Sequence, residues 1–366
     1  MANPIGLYIH IPFCKSKCAY CDFFSAAGSE SEFDEYTDEL INKIAFWSQK
    51  AKEPVSSVYI GGGTPSILGA QRLAEILNTA KEHFSVQENA EITVEVNPES
   101  GKTLDFDMLR SAGFNRISVG LQSSNEKELK ALGRIHRASD ARQTVQRAQD
   151  SGFENISLDL MLAIPYQTEE SLKESIDFCV SCVVKHISSY ILKIEDGTPF
   201  SKMQSALPFP DDDEQAQRYL FAVSYLNEKG FAQYEISNFA IPGFESRHNT
   251  LYWKCGEYIG IGAAAHSFYH GERFYYPRSK KAFYQNEIIS DGEGGGEEEY
   301  IMLALRLKEG LSFSEFEERF QKSLSPVFMK KIRKYAEMGL MEVNDFRACF
   351  TPEGFLVSNA ILSDIF

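Results

Sequence analysis

Cys14, Cys18 and Cys21 fall within His10-Ile-Pro-Phe-Cys-Lys-Ser-Lys-Cys-Ala-Tyr-Cys-Asp-Phe, a C-x3-C-x2-C spacing. Three thiolates on one short loop can hold three corners of a cubic 4Fe–4S cluster and leave the fourth iron open to a small molecule. Two plainer readings compete. A structural zinc site closes with a fourth Cys or His, often as paired C-x2-C halves, and no such partner follows nearby. Free cysteines packed in a core need apolar company, whereas Lys15, Ser16 and Lys17 make this loop polar. The cluster accounts for the loop best.

Other residues could serve chemistry near it. Gly61-Gly62-Gly63-Thr64-Pro65 is an ordinary turn or a place where backbone approaches a ligand with no Cβ in the way. Glu95, in Val94-Glu-Val-Asn-Pro, is a solvated strand-end acid or a carboxylate set to accept hydrogen bonds. Arg134, in Leu132-Gly-Arg-Ile-His, is charged at any relevant pH and can pair with a carboxylate through two parallel bonds. Asp159 lies inside the apolar run Ile156-Ser-Leu-Asp-Leu-Met. Burying an acid costs several kcal/mol, roughly, unless it is paired, so a ligand hydroxyl or an arginine is expected beside it.

A second stretch is Arg247-His248-Asn249-Thr250-Leu251-Tyr252-Trp253-Lys254-Cys255, with Tyr234-Glu-Ile-Ser-Asn-Phe, Tyr258, His266 and Tyr275-Tyr276 around it. Imidazole is a common axial ligand of haem iron, and flat aromatic faces suit a porphyrin plane. On chemistry alone the plainer reading leads: His248 and Trp253 pack as structural side chains at the mouth of the fold. Cys255 is a second axial candidate. Cys179-x2-Cys182 reads as helix packing, and His136, His186 and His270 as solvated or satisfied histidines.

These residues need elements to position them. Strand patterns at Leu7–Ile11, Val55–Ile60, Glu91–Val96, Arg116–Gly120, Asn155–Met161 and His186–Ile194 alternate with helical spacing. The helical segments are Phe33–Trp47, Leu68–Phe84, Leu104–Ala112, Ala138–Ser151, Glu169–Val183 and Asp213–Lys229. Repeated strand–helix units imply parallel strands with right-handed crossovers. An open sheet wound on both faces fits as well as a barrel. In a barrel, chemistry lies at the C-terminal ends of the strands, where these motifs fall. Residues 291–297, Asp-Gly-Glu-Gly-Gly-Gly-Glu, read as a flexible link. They divide a domain over 1–290 from a small α-rich, winged-helix-like domain over 298–366. There, helices over Glu298–Leu307, Ser314–Phe320 and Ser325–Met338 precede a hairpin (Met341–Val343, Ala348–Thr351) and a helix at Gly354–Ile361.

The 366 residues, 43% hydrophobic, can bury a large core. No apolar run is long enough to span a bilayer, and Met1-Ala-Asn-Pro has no basic signal region. A cytoplasmic protein with reduced thiols is expected. A formal charge of −15 argues against a nucleic-acid partner, which needs clustered Lys/Arg.

The cysteine loop, with Tyr20 before its last cysteine, resembles that of the radical S-adenosylmethionine (SAM) superfamily. Tyr8-Ile-His-Ile-Pro-Phe-Cys, Gly-Gly-Gly-Thr-Pro-Ser, Glu-Val-Asn-Pro-Glu, Val-Gly-Leu-Gln-Ser and Tyr-Glu-Ile-Ser-Asn-Phe-Ala resemble the oxygen-independent coproporphyrinogen III oxidase family over nearly the whole chain. His248-Asn249-x-x-Tyr252-Trp253 is similar to the H-N-x-x-Y-W motif of its HemW haem chaperone branch. The resemblance implies a partial (β/α)6 barrel and a cluster whose open iron chelates SAM. It implies that Gly62, Gly63 and Thr64 hold the SAM amino group and Glu95 accepts from the ribose hydroxyls. Tyr8, Gln122, Arg134 and Asp159 are implied as further SAM contacts, Arg134 at the methionine carboxylate. His248, Asn249, Tyr252 and Trp253 are implied as haem contacts.

Two departures from the oxidases favour the chaperone branch: Phe23 stands where they carry a further cysteine, and the chain is without their N-terminal extension. The implied partners are haem or a related tetrapyrrole, respiratory proteins that accept haem, and an electron donor to the cluster. Peripheral membrane association and a homodimer are compatible with this. The rival is an enzyme: reductive cleavage of SAM, hydrogen abstraction from the propionates of coproporphyrinogen III and decarboxylation to protoporphyrinogen IX. Another radical reaction on a tetrapyrrole stays open.

Overall fold

A period of two runs through the first strands, with apolar side chains on one face and polar or small ones on the other. In β1 (Ile5–Ile11), Leu7, Ile9 and Ile11 alternate with Gly6, Tyr8 and His10. In β2 (Val55–Gly62), Val58 and Ile60 alternate with Ser57, Tyr59 and Gly61. β3 (Val86–Val96) sets Ile92 and Val94 against Glu91, Thr93 and Glu95. β4 (Arg116–Gln122) sets Ile117, Val119 and Leu121 against Arg116, Ser118 and Gly120. β5 (Asn155–Leu162) and β6 (His186–Ile191) continue the pattern with Ser157, Asp159, His186 and Ser188. Successive side chains of a strand point to opposite faces, so one face of the sheet is oily and the other carries nearly all the candidate chemistry.

The computed structural model describes residues 3–204 and 206–366; the opening Met1-Ala2 lies outside them. The six strands are parallel and pair in chain order. The helices between them (Glu30–Ser48, Gly69–His83, Phe106–Ala112, Ala138–Asp150, Glu169–Ser181) and the following Asp212–Glu228 pack neighbour on neighbour along the oily face. A doubly wound sheet would divide them between two faces. Here the polar face turns inward, and the register is staggered: Ser57 faces Glu91, whereas Arg116 faces Thr93. Stagger of this kind tilts strands into a barrel.

Six more strands extend the sheet: β7 (Ala232–Gln233), β8 (Asn238–Ala240), β9 (Tyr258–Ile261), β10 (His266–Tyr269), β11 (Glu272–Tyr275) and β12 (Ile289–Glu293). The order is β12-β11-β10-β9-β1-β2-β3-β4-β5-β6-β8-β7, so the barrel is partial and its rims are β12 and β7. β9 runs parallel to β1, which places the strand that leads into the cysteine loop between two neighbours.

The expected link over 291–297 is corrected in its first half. Asp291–Glu293 belong to β12, and the Gly294 N–H donates to the Gly271 carbonyl at 2.8 Å. Gly295, at φ +76°, lies on the Phe268 ring where a Cβ would come within 2.7 Å of Cζ. The glycines serve close approach to an aromatic ring, and an edge strand tolerates acids because its outer side meets water.

From Glu297 the chain forms a helix (Glu297–Ala304), β13 (Leu311–Ser312), helices Phe313–Phe320 and Pro326–Glu337, then β14 (Met341–Val343) and β15 (Arg347–Phe350). The three strands pair β13-β15-β14, and the helix–strand–helix–helix–strand–strand succession is that of a winged helix. Two short helices, Pro352–Leu356 and Ser358–Ile365, stand where one was expected. Among the described residues no helix is long and apolar enough to cross a membrane. All seven cysteines are free.

Candidate functional site

The cysteine loop leaves the C-terminal end of β1 and is pinned at both ends. The Cys14 N–H donates to Ala26 O and the Ala26 N–H to Pro12 O, each at 3.0 Å. His10 holds it from below. The Tyr8 hydroxyl donates to His10 Nδ1 at 2.9 Å, and His10 Nε2–H donates to Phe24 O at 3.2 Å. Burial pushes the His10 imidazole down to about 4, so it holds the loop as a neutral ring. The three thiols are half-buried.

They open on a cavity of about 520 Å³ at the C-terminal ends of the strands. Its walls include Gly62, Gly63, Thr64, Glu95, Gln122, Arg134 and Asp159 beside the cysteines, so seven of the eight expected SAM residues converge there. Tyr8 is the exception: it stands below the cavity with its hydroxyl engaged by His10. Among the described residues no three His, Cys, Asp or Glu side chains converge on one point as donors to a single ion would. A cuboid cluster asks for one thiolate at each of three iron corners, and an open loop with three half-buried thiols facing a cavity fits that demand.

Close packing explains the glycines. A Cβ on Gly62, at φ +117°, would lie 2.6 Å from His10 Cε1, and one on Gly63 would lie 3.0 Å from Cys14 Sγ. The next residue, Thr64, donates from Oγ1 to Cys14 Sγ at 3.4 Å and accepts from Asn97 Nδ2 at 2.9 Å. Arg134 Nη1 donates to Asn97 Oδ1 at 3.3 Å, and Nη2 donates to Gly120 O at 3.3 Å. Its Nε is buried without a partner. Arg134 lines the cavity, and a guanidinium there suits an anionic ligand, which fits the SAM carboxylate. Gln122 leaves β4 in the left-handed region, at φ +71°.

Glu95 accepts from the Tyr59 hydroxyl at 2.8 Å and the Gly62 N–H at 3.1 Å. Burial pushes its carboxyl up to about 7 against the pull of those two donors. Asp159 is likewise pushed up by burial, with the Ser188 and Ser118 hydroxyls and the positive charge of Arg116 and Arg134 opposing. The hydroxyls beside it are those of serines rather than of a ligand, and the arginines act on it through charge without an ion pair. Asn97, Tyr59, Ser118 and Ser188 were missed in the sequence. The signal was there: polar residues at every second position, as in Thr93-x-Glu95-x-Asn97.

The second stretch lies elsewhere. Helix Arg247–Trp253 sits under the barrel at the N-terminal ends of the strands, against Gly6, Ser57 and Glu91. The Glu91 carboxylate accepts from the backbone N–H of Arg247 and of His248, both at 3.0 Å. His248 is buried; Nδ1 bonds Ser57 Oγ at 2.8 Å and Nε2 bonds the Tyr252 hydroxyl at 2.7 Å. Burial, then the nearby Arg116 charge, push it down to about 3. A second unit repeats the design: His186 bonds Ser157 at 2.7 Å and Tyr234 at 2.8 Å. The plainer expectation that His248 packs at the mouth of the fold is therefore corrected in its place. Both ring nitrogens are engaged, and the residue plugs the opposite end. Asn249, Tyr252 and Trp253 are partly exposed, while Cys255 is buried beside Arg319.

Comparison with known proteins agrees with this geometry. Residues 8–179 match the radical SAM superfamily and residues 298–357 match the HemN C-terminal domain. The chain is 34% identical to the heme chaperone HemW of Lactococcus lactis, covering 99% of this chain and 97% of that one. It is 34% identical to HemW of Bacillus subtilis over 97% of each chain. With HemW of Escherichia coli the identity is 38% over 72% of this chain and 70% of that one. Among solved structures, the coproporphyrinogen III oxidase HemN of Escherichia coli, a radical SAM enzyme, superposes with a TM-score of 0.84 at 22% identity. It covers 99% of this chain and 90% of HemN, a likeness of fold.

Proposed function

Because the chain belongs to the HemW family of radical SAM proteins, we propose that it is a cluster- and SAM-binding haem chaperone that passes haem to haem-accepting respiratory proteins. Cys14, Cys18 and Cys21 would hold the 4Fe–4S cluster, and the mouth residues Gly62, Gly63, Thr64, Glu95, Gln122, Arg134 and Asp159 would hold SAM. The bound cluster supplies an open iron and an electron-transfer centre. The chain's own residues orient the ligand, neutralise its carboxylate and cover it.

The near-full-length likeness to proteins named haem chaperones carries this reading. Pockets that bury one small ligand run to roughly 300–1,000 Å³, and the mouth measures about 520 Å³. That suits a nucleoside-sized cofactor. Haem contact would lie at the 247–253 helix, where Asn249, Tyr252 and Trp253 are partly exposed. Ligation of iron by His248 there requires the Tyr252 hydroxyl to move off Nε2.

The test is an anaerobic haem titration of reconstituted protein, followed by transfer to an apo haem protein. Tyr252→Phe, which frees Nε2, should strengthen uptake about tenfold by removing one hydrogen bond, and His248→Ala should abolish it. Uptake unchanged in both variants removes the 247–253 helix from the haem site. Conversion of coproporphyrinogen III with SAM and a reductant would overturn the chaperone reading in favour of the enzyme.

A further inference from the structure

Mouth and foot are joined by a column of rings on the inner faces of β1 and β2. Tyr59 stands midway. Its ring stacks on the His248 imidazole, with centroids 5.2 Å apart and planes inclined by 25°, while its hydroxyl donates to Glu95 Oε1 at 2.8 Å. Tyr8 leans on both rings, 6.2 Å from Tyr59 and 6.5 Å from His248. The opposite oxygen of Glu95 is held by the Gly62 N–H at 3.1 Å. Above the phenol there is no slack: a Cβ on Gly61 would lie 2.8 Å from Tyr59 Cε1 and 3.0 Å from Glu95 Oε1.

We propose that Tyr59 is the positioning residue of the SAM carboxylate Glu95, braced from below by His248, so that the packing of the foot governs how the mouth receives the ribose. This rests on Glu95 being the carboxylate that accepts the SAM ribose hydroxyls. The carboxylate oxygens need an orientation that leaves lone pairs toward the cavity. A phenol donor on one oxygen and a backbone donor on the other set that orientation, and both bonds favour the ionised form.

Charge then links geometry to an observable. Glu95 is faced by Tyr59 and the Gly62 N–H from β2, Tyr8 from β1, Arg116 from β4 and Asp159 from β5. Burial raises it most, Tyr59 lowers it, Asp159 raises it, and Gly62 and Arg116 lower it, leaving it at about 7. The ionised form is the full acceptor, so SAM affinity rises with pH through about 7 and then levels. Loss of the Tyr59 donor moves the midpoint to higher pH.

The experiment is equilibrium SAM binding by the full chain with reconstituted cluster, across the neutral range, with melting curves and cluster absorbance as controls. Tyr59→Phe keeps the ring and removes the donor; it should weaken SAM about tenfold at neutral pH and shift the midpoint upward. Glu95→Gln should flatten the profile, and the double variant should bind no more weakly than Glu95→Gln alone. Wild-type midpoint and affinity in Tyr59→Phe, or additive losses in the double variant, overturn the proposal. If Tyr59→Phe does not fold, His248→Ala decides: its midpoint must also rise, by less, and an unmoved midpoint overturns the proposal. Failure of the wild type to bind SAM at any pH is a different result, since it removes the reading of the mouth itself.

Discussion

The two ends of the barrel are made from the same kinds of residue and are finished differently. At the foot, each imidazole has both nitrogens engaged: His248 by Ser57 and Tyr252, His186 by Ser157 and Tyr234. At the mouth, three thiols stand half-buried, Arg134 keeps an unpartnered Nε, and two carboxyls are raised by burial. Buried polar groups are normally satisfied. An end whose thiols, carboxyls and arginine line a cavity is arranged for a ligand, and an end whose two histidines close their bonds internally is arranged for packing. Residue type does not separate the two, and neither does hydrogen-bond completion alone, since Arg116 Nε and Asn155 Oδ1 at the foot are also buried without partners; the open cavity separates them.

Three substitutions press on that contrast. The largest effect is at the cysteines: Cys14→Ala should abolish the cluster absorbance and SAM binding together. The cost to thermal stability should stay within about 1 kcal/mol, because a half-buried thiol carries little of the core. A large fall in melting temperature without loss of the cluster would make the mouth structural. Next comes Glu91→Gln at the foot, which weakens the anchor of the 247–253 helix and leaves the fully buried Arg116 short of its main opposing charge. Weakening charge-assisted hydrogen bonds of this kind typically costs about 1.5–3 kcal/mol, read by denaturant unfolding, while the folded fraction still takes up iron and sulfide. The smallest effect is Arg134→Lys. An ammonium cannot reproduce the planar fork, so SAM affinity should drop about tenfold, by the loss of one charge-assisted bond, with the melting curve nearly unmoved.

Much of this was legible because it is local. Leu7–Ile11 or Ile117–Leu121 announces a strand by its own alternation, and the helices between announce their spacing, so six β/α units and a set of strand-end residues could be read directly. Barrel and doubly wound sheet differ only in which face the helices take, a question of long-range packing. The foot was illegible for the same reason. Nothing within Arg247–Trp253 says that its histidine will meet Ser57 and its amides Glu91, more than 150 positions upstream. Asp291-Gly-Glu misled by composition, since acids and glycine usually mark a loop, yet a sheet rim accepts both. Asn97 escaped because its role is relational: it joins Arg134 to Thr64 and so to Cys14.

The rims of the sheet carry a consequence for assembly. One rim, β7, is two residues long; the other, β12, is fully exposed and bears Asp291 and Glu293. Neither offers a second molecule a long uncharged ladder to extend, because the first is too short and the second would set acids against acids. Intermolecular strand addition, the usual hazard of an unclosed barrel, is therefore disfavoured at both borders of this sheet.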